Sequence, residues 1–141
     1  MTFLSSADDT MAWGHSLAAC LQPGDVVALC GQLGAGKTHV VKGLLDGLGS
    51  NEDVTSPTFS LVHEYQKARL PVFHFDFYRM TSEAELLNIG WDEYLDEPGV
   101  VVVEWADMFP SLLPPHAQWF QLEVLPEGGR RVTALPAAPQ P

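Results

Sequence analysis

Val26-Val27-Ala28-Leu29-Cys30 runs straight into Gly31-Gln32-Leu33-Gly34-Ala35-Gly36-Lys37-Thr38, and this stretch decides the fold. The first five residues are wholly apolar and follow Pro23-Gly24-Asp25, as expected of a parallel strand buried on both faces. The next eight match G-x-x-x-x-G-K-[ST], a loop that wraps a polyanion in backbone N–H groups. Side chains must be absent where such a chain turns and approaches phosphates, hence the glycines. Lys37 would reach the β- and γ-phosphates and the Thr38 hydroxyl would ligate Mg²⁺. Residues 37–48, closed by Gly49, read as a helix whose positive dipole end faces the same place. Strand, glycine turn and helix open an α/β fold. The expected architecture is P-loop NTPase-like: a mixed sheet flanked by helices in a single domain.

Outward from this core, residues 8–21 read as an amphipathic helix with an acidic start and Met11, Leu17, Ala18 and Leu21 on one stripe. Residues 59–65 and 72–78 alternate well enough for two strands joined by a turn at 67–71. Ser82 and Glu85 form a capping box for a helix carrying Leu86, Leu87 and Ile89, stopped near Gly90. Val100-Val101-Val102-Val103 is another buried strand, and residues 119–125 and 131–135 make a final antiparallel pair. Residues 1–135 are expected to form the domain. Residues 136–141, poor in apolar bulk, are expected to be a disordered tail.

With 141 residues the chain can bury one real core. Eighteen acids against seven bases give −11, so direct nucleic-acid binding by the chain alone is not expected, since phosphate-backbone affinity comes from clustered Lys and Arg. No apolar run is long enough to span a bilayer, no signal peptide is expected at the N-terminus, and Cys20 and Cys30 suggest neither a disulfide framework nor a metal site. The expectation is a soluble cytoplasmic protein. Between Met80 and Gly129 there is no base, while ten acids occur. That region reads either as a solvated face or as a docking surface for a basic protein partner.

A nucleotide site needs a further acid for the metal and a group that poises water. Glu104 follows four consecutive valines, at the carboxyl end of a strand expected to lie beside the loop; the alternative is a solvent-exposed strand-end acid. Asp76 sits between aromatics in His74-Phe75-Asp76-Phe77-Tyr78-Arg79. An isolated acid there is costly unless partnered, by a metal-bound water or structurally by Arg79 or a backbone amide.

From about Ser6 to Arg131 the chain resembles the TsaE (YjeE) family, small bacterial P-loop ATPases of the tRNA threonylcarbamoyladenosine pathway. The resemblance rests on Thr10 with Gly14, the loop from Gly31 to Thr38, Ser56-Pro57-Thr58-Phe59, His74-Phe75-Asp76-Phe77-Tyr78-Arg79, Val103-Glu104-Trp105 and, less specifically, Gly129-Arg130. It implies that Leu33, Gly34, Ala35, Gly36, Lys37 and Thr38 hold the phosphates, with Thr38 and Glu104 on Mg²⁺. Ser56, Pro57 and Thr58 would be a switch that senses the γ-phosphate. Asp76 would position water and Trp105 would lie against the nucleotide, with Ala7, Thr10 and Arg130 bordering base and ribose. TsaB and TsaD are the implied partners. Two positions depart from the family pattern: Gln32 replaces its usual Asp and His39 a second Thr, and a packed or surface role is expected for His39.

Two other classes compete. A small-molecule P-loop kinase closes an arginine-bearing lid, and the bases available for one beyond the loop are Arg79, Arg130 and Arg131. A non-catalytic nucleotide-sensing subunit differs from the family reading only in how far hydrolysis proceeds. A GTPase is not supported, because no [NT]-K-x-D motif is present.

Overall fold

The computed structural model describes residues 1–32, 34–50, 52 and 62–139. The elements are β1 (Thr2–Leu4), α1 (Ala7–Ala18), β2 (Val26–Gly31), α2 (Lys37–Gly47), β3 (Val62–Tyr65), β4 (Val72–Asp76), α3 (Glu83–Asn88), α4 (Trp91–Asp96), β5 (Val100–Glu104), β6 (Gln118–Val124) and β7 (Arg130–Leu135). Among the described residues they build one seven-stranded sheet in the order β1-β7-β6-β2-β5-β4-β3. Its centre, β6-β2-β5-β4, is parallel, and both margins are antiparallel. This is the mixed α/β sheet expected of the sequence.

Alternation along the parallel strands sorts their side chains between two apolar layers. Val27, Leu29, Val100 and Val102 meet α1 and α2, while Val26, Ala28, Phe73, Phe75, Val101 and Val103 meet Trp91 of α4 and Leu86 of α3. All six residues of β2 are buried, which is why that strand reads as an unbroken apolar run.

Several local expectations are corrected. Helix α1 ends at Ala18, and its buried stripe is Thr10, Gly14 and Ala18 rather than one led by Met11. The reason is close packing: a Cβ on Gly14 would collide with the Val40 carbonyl, and one on Gly43 with the Met11 backbone. Small residues win the interface because they let the two backbones approach. The strand expected to reach residue 78 stops at Asp76, where the Asp76 side chain accepts from Tyr78 N–H and starts a 3-10 turn over Phe77–Arg79. Ser82 caps α3 by accepting from Glu85 N–H, yet the Glu85 carboxylate turns to Thr81 instead of closing the box. Strand β1 and helix α4 had no counterpart in the sequence reading. The Val62–Tyr65 part of the strand expected over 59–65 is present; the rest lies outside the described residues. Beyond β7, Ala138 packs against the second apolar layer.

Candidate functional site

The carboxyl ends of β2, β4 and β5 open on one cavity of about 500 Å³, within the range typical of small-molecule sites. This is where ligands bind in open parallel sheets. Gly31, with φ +143°, ends β2 so close to β6 that a Cβ would strike the Leu122 carbonyl. The chain then turns through Gly34 (φ +81°) and Gly36 (φ +101°), a left-handed pair that delivers the amino end of α2 to the cavity. Among the described residues no side chain caps that end, and its first turn contains no acid. Such a helix start is suited to an anion.

Lys37 is buried, and its Nζ donates to the carbonyls of Gly31 (2.7 Å) and Gln32 (2.9 Å) while standing 4.2 Å from the Trp105 ring centroid. Burial pulls its ammonium below the usual lysine value, against the opposing pull of Glu104, Asp107 and Asp76. Both oxygens of Glu104 lie 3.4 Å from Thr38 Oγ1, longer than a well-made O–H···O hydrogen bond. A hydroxyl and a carboxylate are hard oxygen donors of the kind Mg²⁺ takes together with phosphate oxygens and water. Glu104 is only 4% exposed, so the alternative of a solvated strand-end acid is excluded. Its Oε2 is 2.6 Å from His74 Nε2.

Asp76 has both structural partners that the sequence suggested, Tyr78 N–H at 3.1 Å and Arg79 Nε at 3.6 Å, and it also lines the cavity. Burial raises its carboxyl above the ordinary value, Glu104 pushes the same way, and Tyr78 N–H, Arg79 and His74 oppose the rise. Trp105 stands next to Glu104 with φ +57°, a conformation a bulky residue rarely adopts, and its ring meets that of Tyr78 at 4.9 Å.

Ala7, Thr10, Gly34, Gly36, Lys37, Thr38, Asp76, Glu104, Trp105 and Arg130 all line this cavity. Ala35 does not: its side chain is in the core and its N–H is bonded to the Gln32 carbonyl. Leu33, Ser56, Pro57 and Thr58 lie outside the described residues. His39, expected to be a packed or surface residue, borders the cavity. Sequence reasoning gave no cavity role to Tyr78, Arg79, Ser5, Ser6 and Gly128, which also line it. Tyr78 and Arg79 stood in a quoted motif; Ser5, Ser6 and Gly128 arrive only through pairing of β1 with β7. Three of the chain's seven bases, Lys37, Arg79 and Arg130, gather here in a protein of net charge −11.

The family model for "Threonylcarbamoyl adenosine biosynthesis protein TsaE" matches residues 4–132. The chain belongs to the TsaE family. It is 44% identical over 128 residues to the tRNA threonylcarbamoyladenosine biosynthesis protein TsaE of Treponema pallidum, covering 91% of this chain and 94% of that one. It is 40% identical to the Bacillus subtilis protein of the same name, covering 89% and 78%. A crystal structure of Bacillus subtilis YdiB superposes with a TM-score of 0.79 at 34% identity, over 98% of this chain and 84% of that one. The loop, Asp76, Glu104 and Trp105 therefore sit within the part of the chain that makes it a TsaE.

Proposed function

We propose that this chain is the Mg²⁺-dependent ATP-binding and ATP-hydrolysing subunit needed for threonylcarbamoyl modification of adenosine 37 in tRNAs reading codons that begin with A. It works in the cytoplasm with TsaB- and TsaD-type proteins, which carry out the threonylcarbamoyl chemistry. The observation that supports this reading most is the meeting of Lys37, Thr38, Asp76 and Glu104 around one cavity at the amino end of α2. Leu33, Gly34, Gly36, Lys37 and Thr38 cradle the phosphates, and the Lys37 ammonium exchanges its two loop carbonyls for phosphate oxygens. Thr38 and Glu104 hold Mg²⁺, which offsets the phosphate charge when bound. Asp76, kept dry and beside a second acid, orients the attacking water. Ser56, Pro57 and Thr58 sense the γ-phosphate. Trp105 flanks the nucleotide, while Ala7, Thr10 and Arg130 border its base and ribose. Hydrolysis is slow in the isolated subunit and rises with the partners, and the tRNA is met through them.

Calorimetry with Mg²⁺ and ATP on wild type and Lys37→Ala tests the reading. Wild type binds, and the variant loses about 10- to 100-fold in affinity, the worth of a charge-assisted hydrogen bond of about 1.5–3 kcal/mol. Equal affinities overturn the assignment of the cavity to ATP.

A further inference from the structure

His74 lies in the interior of β4, fully buried, opposite Val102 of β5 and His63 of β3. Phe73 and Phe75, its chain neighbours, belong to the other apolar layer, so His74 shares the sheet face of Val72, Val100 and Val102. Its Nε2 is 2.6 Å from Glu104 Oε2, while its Nδ1 is enclosed and, among the described residues, has no hydrogen-bond partner. A leucine or methionine would fill this place without burying an unpaired nitrogen, so the imidazole brings a packing disadvantage. What it adds is a donor aimed at Glu104. A carboxylate only accepts, so the short contact requires a proton on Nε2. Among the described residues, Oε1 of Glu104 has only the 3.4 Å contact with Thr38.

We propose that His74 is a positioning residue: its Nε2–H holds Oε2 of Glu104, fixing that side chain so that its remaining acceptor capacity faces Thr38 and the metal. The inference rests on the Mg²⁺–ATP reading above, and goes beyond it in assigning a residue that touches neither metal nor nucleotide. Partners of this kind, hydrogen-bonded behind a ligating group, typically govern metal affinity by about 10- to 100-fold.

The test is a Mg²⁺ titration of the protein saturated with a non-hydrolysable ATP analogue, alongside binding of the same analogue in EDTA. His74→Leu is expected to weaken Mg²⁺ by about 10- to 100-fold and to leave metal-free binding unchanged. His74→Gln, whose amide nitrogen can take the place of Nε2, is expected to restore most of the loss. Nitrogen-15 NMR of the metal-free wild type is expected to show a protonated Nε2. Undiminished Mg²⁺ affinity in His74→Leu, no rescue by His74→Gln, or an Nε2 without a proton overturns the inference. If His74→Leu does not fold, His74→Met takes its place, and the wild-type spectrum decides in either case. A wild type that binds the analogue with no Mg²⁺ enhancement removes the Mg²⁺ reading and this inference together. Enhancement at undiminished Mg²⁺ affinity in His74→Leu removes the inference alone.

Discussion

Asp76 and Glu104 are register partners, the last residues of adjacent parallel strands, so two buried carboxyl groups stand side by side at one cavity. Their surroundings differ. Glu104 receives the short contact from His74 and faces Thr38. Asp76 has one backbone N–H and a long contact to a half-exposed arginine. Neighbouring acids placed in unlike environments are how one site separates two roles.

Replacing Asp76 exposes the first consequence. Its carboxyl is raised above the ordinary 3.8, chiefly by burial, so the stability it contributes is complete below the ordinary carboxylate range and is lost as pH rises through the raised value. At neutral pH the ionised group is a burden. Asp76→Asn keeps the acceptor for Tyr78 N–H and is expected to melt higher than wild type at pH 7, with the gain vanishing towards pH ~4. Its ATP hydrolysis with partners is expected to fall by about 10² or more. A lower melting temperature at pH 7 speaks against this account of Asp76.

For Glu104 the expected signature is selective. Glu104→Gln should slow Mg²⁺-dependent hydrolysis by at least about 10-fold while nucleotide binding in EDTA stays as in wild type. Rates measured across a Mg²⁺ series check it; an unchanged rate leaves Glu104 a structural acid only.

The parts of the fold read correctly from sequence share one property: their signal is local. Val26 to Thr38, the valines of β5 and the pair β6–β7 each announce themselves by composition or alternation. Strand β1 is three residues long and exists because β7 offers it an edge. Helix α4 carries Asp92, Glu93 and Asp96 around the single fully buried Trp91, too short a segment to show a period. On α1 the expected stripe holds at Leu17 and Ala18, and at Leu21 beyond the helix, but the closest face was missed, because hydrophobicity points to Met11 whereas backbone proximity at Gly14 and Gly43 sets the contact. In the site, Lys37, Thr38 and Glu104 were legible because each sits at a fixed place relative to the loop or a strand end. The contact of His74 with Glu104 was not, since it joins residues 30 apart.

Gly43 gives a stability test of the helix contact. A methyl group there would strike the Met11 carbonyl and press on its Cα, both backbone atoms that cannot step aside. Gly43→Ala is expected to destabilise the protein by about 1–3 kcal/mol in urea titrations, although alanine is the better helix former. A stabilised variant means the helices are further apart than described.

The two cysteines should separate chemically. Cys20 is exposed; Cys30 is buried, and burial pushes its thiol up to about 12. Iodoacetamide at mildly alkaline pH is expected to label Cys20 in the native protein and Cys30 only after denaturation, read by intact mass. Folding stability tied to Cys30 is complete below its ordinary value of 9.0 and declines as pH climbs from there towards about 12. Equal labelling rates for both thiols in the native state contradict this.

On α4 and just beyond it, Glu93, Asp96 and Glu97 are exposed, and Glu93 and Glu97 border a second cavity with Glu64. Changing all three, Glu93→Lys, Asp96→Lys and Glu97→Lys, is expected to weaken binding to a TsaB–TsaD mixture and flatten its salt dependence, because complementary charge acts through screened attraction. Unchanged affinity and salt slope assign these acids to solubility.

The close seating of α1 on α2 has a mechanical side. Thr10 lies one turn before Gly14 on α1, and its methyl group sits against Gly36, while Met11 and Val40 lock the two backbones to each other. Neither helix can slide without carrying the other. The Ala7–Thr10 and Lys37–Thr38 linings of the cavity therefore form one continuous wall carried by a single rigid unit.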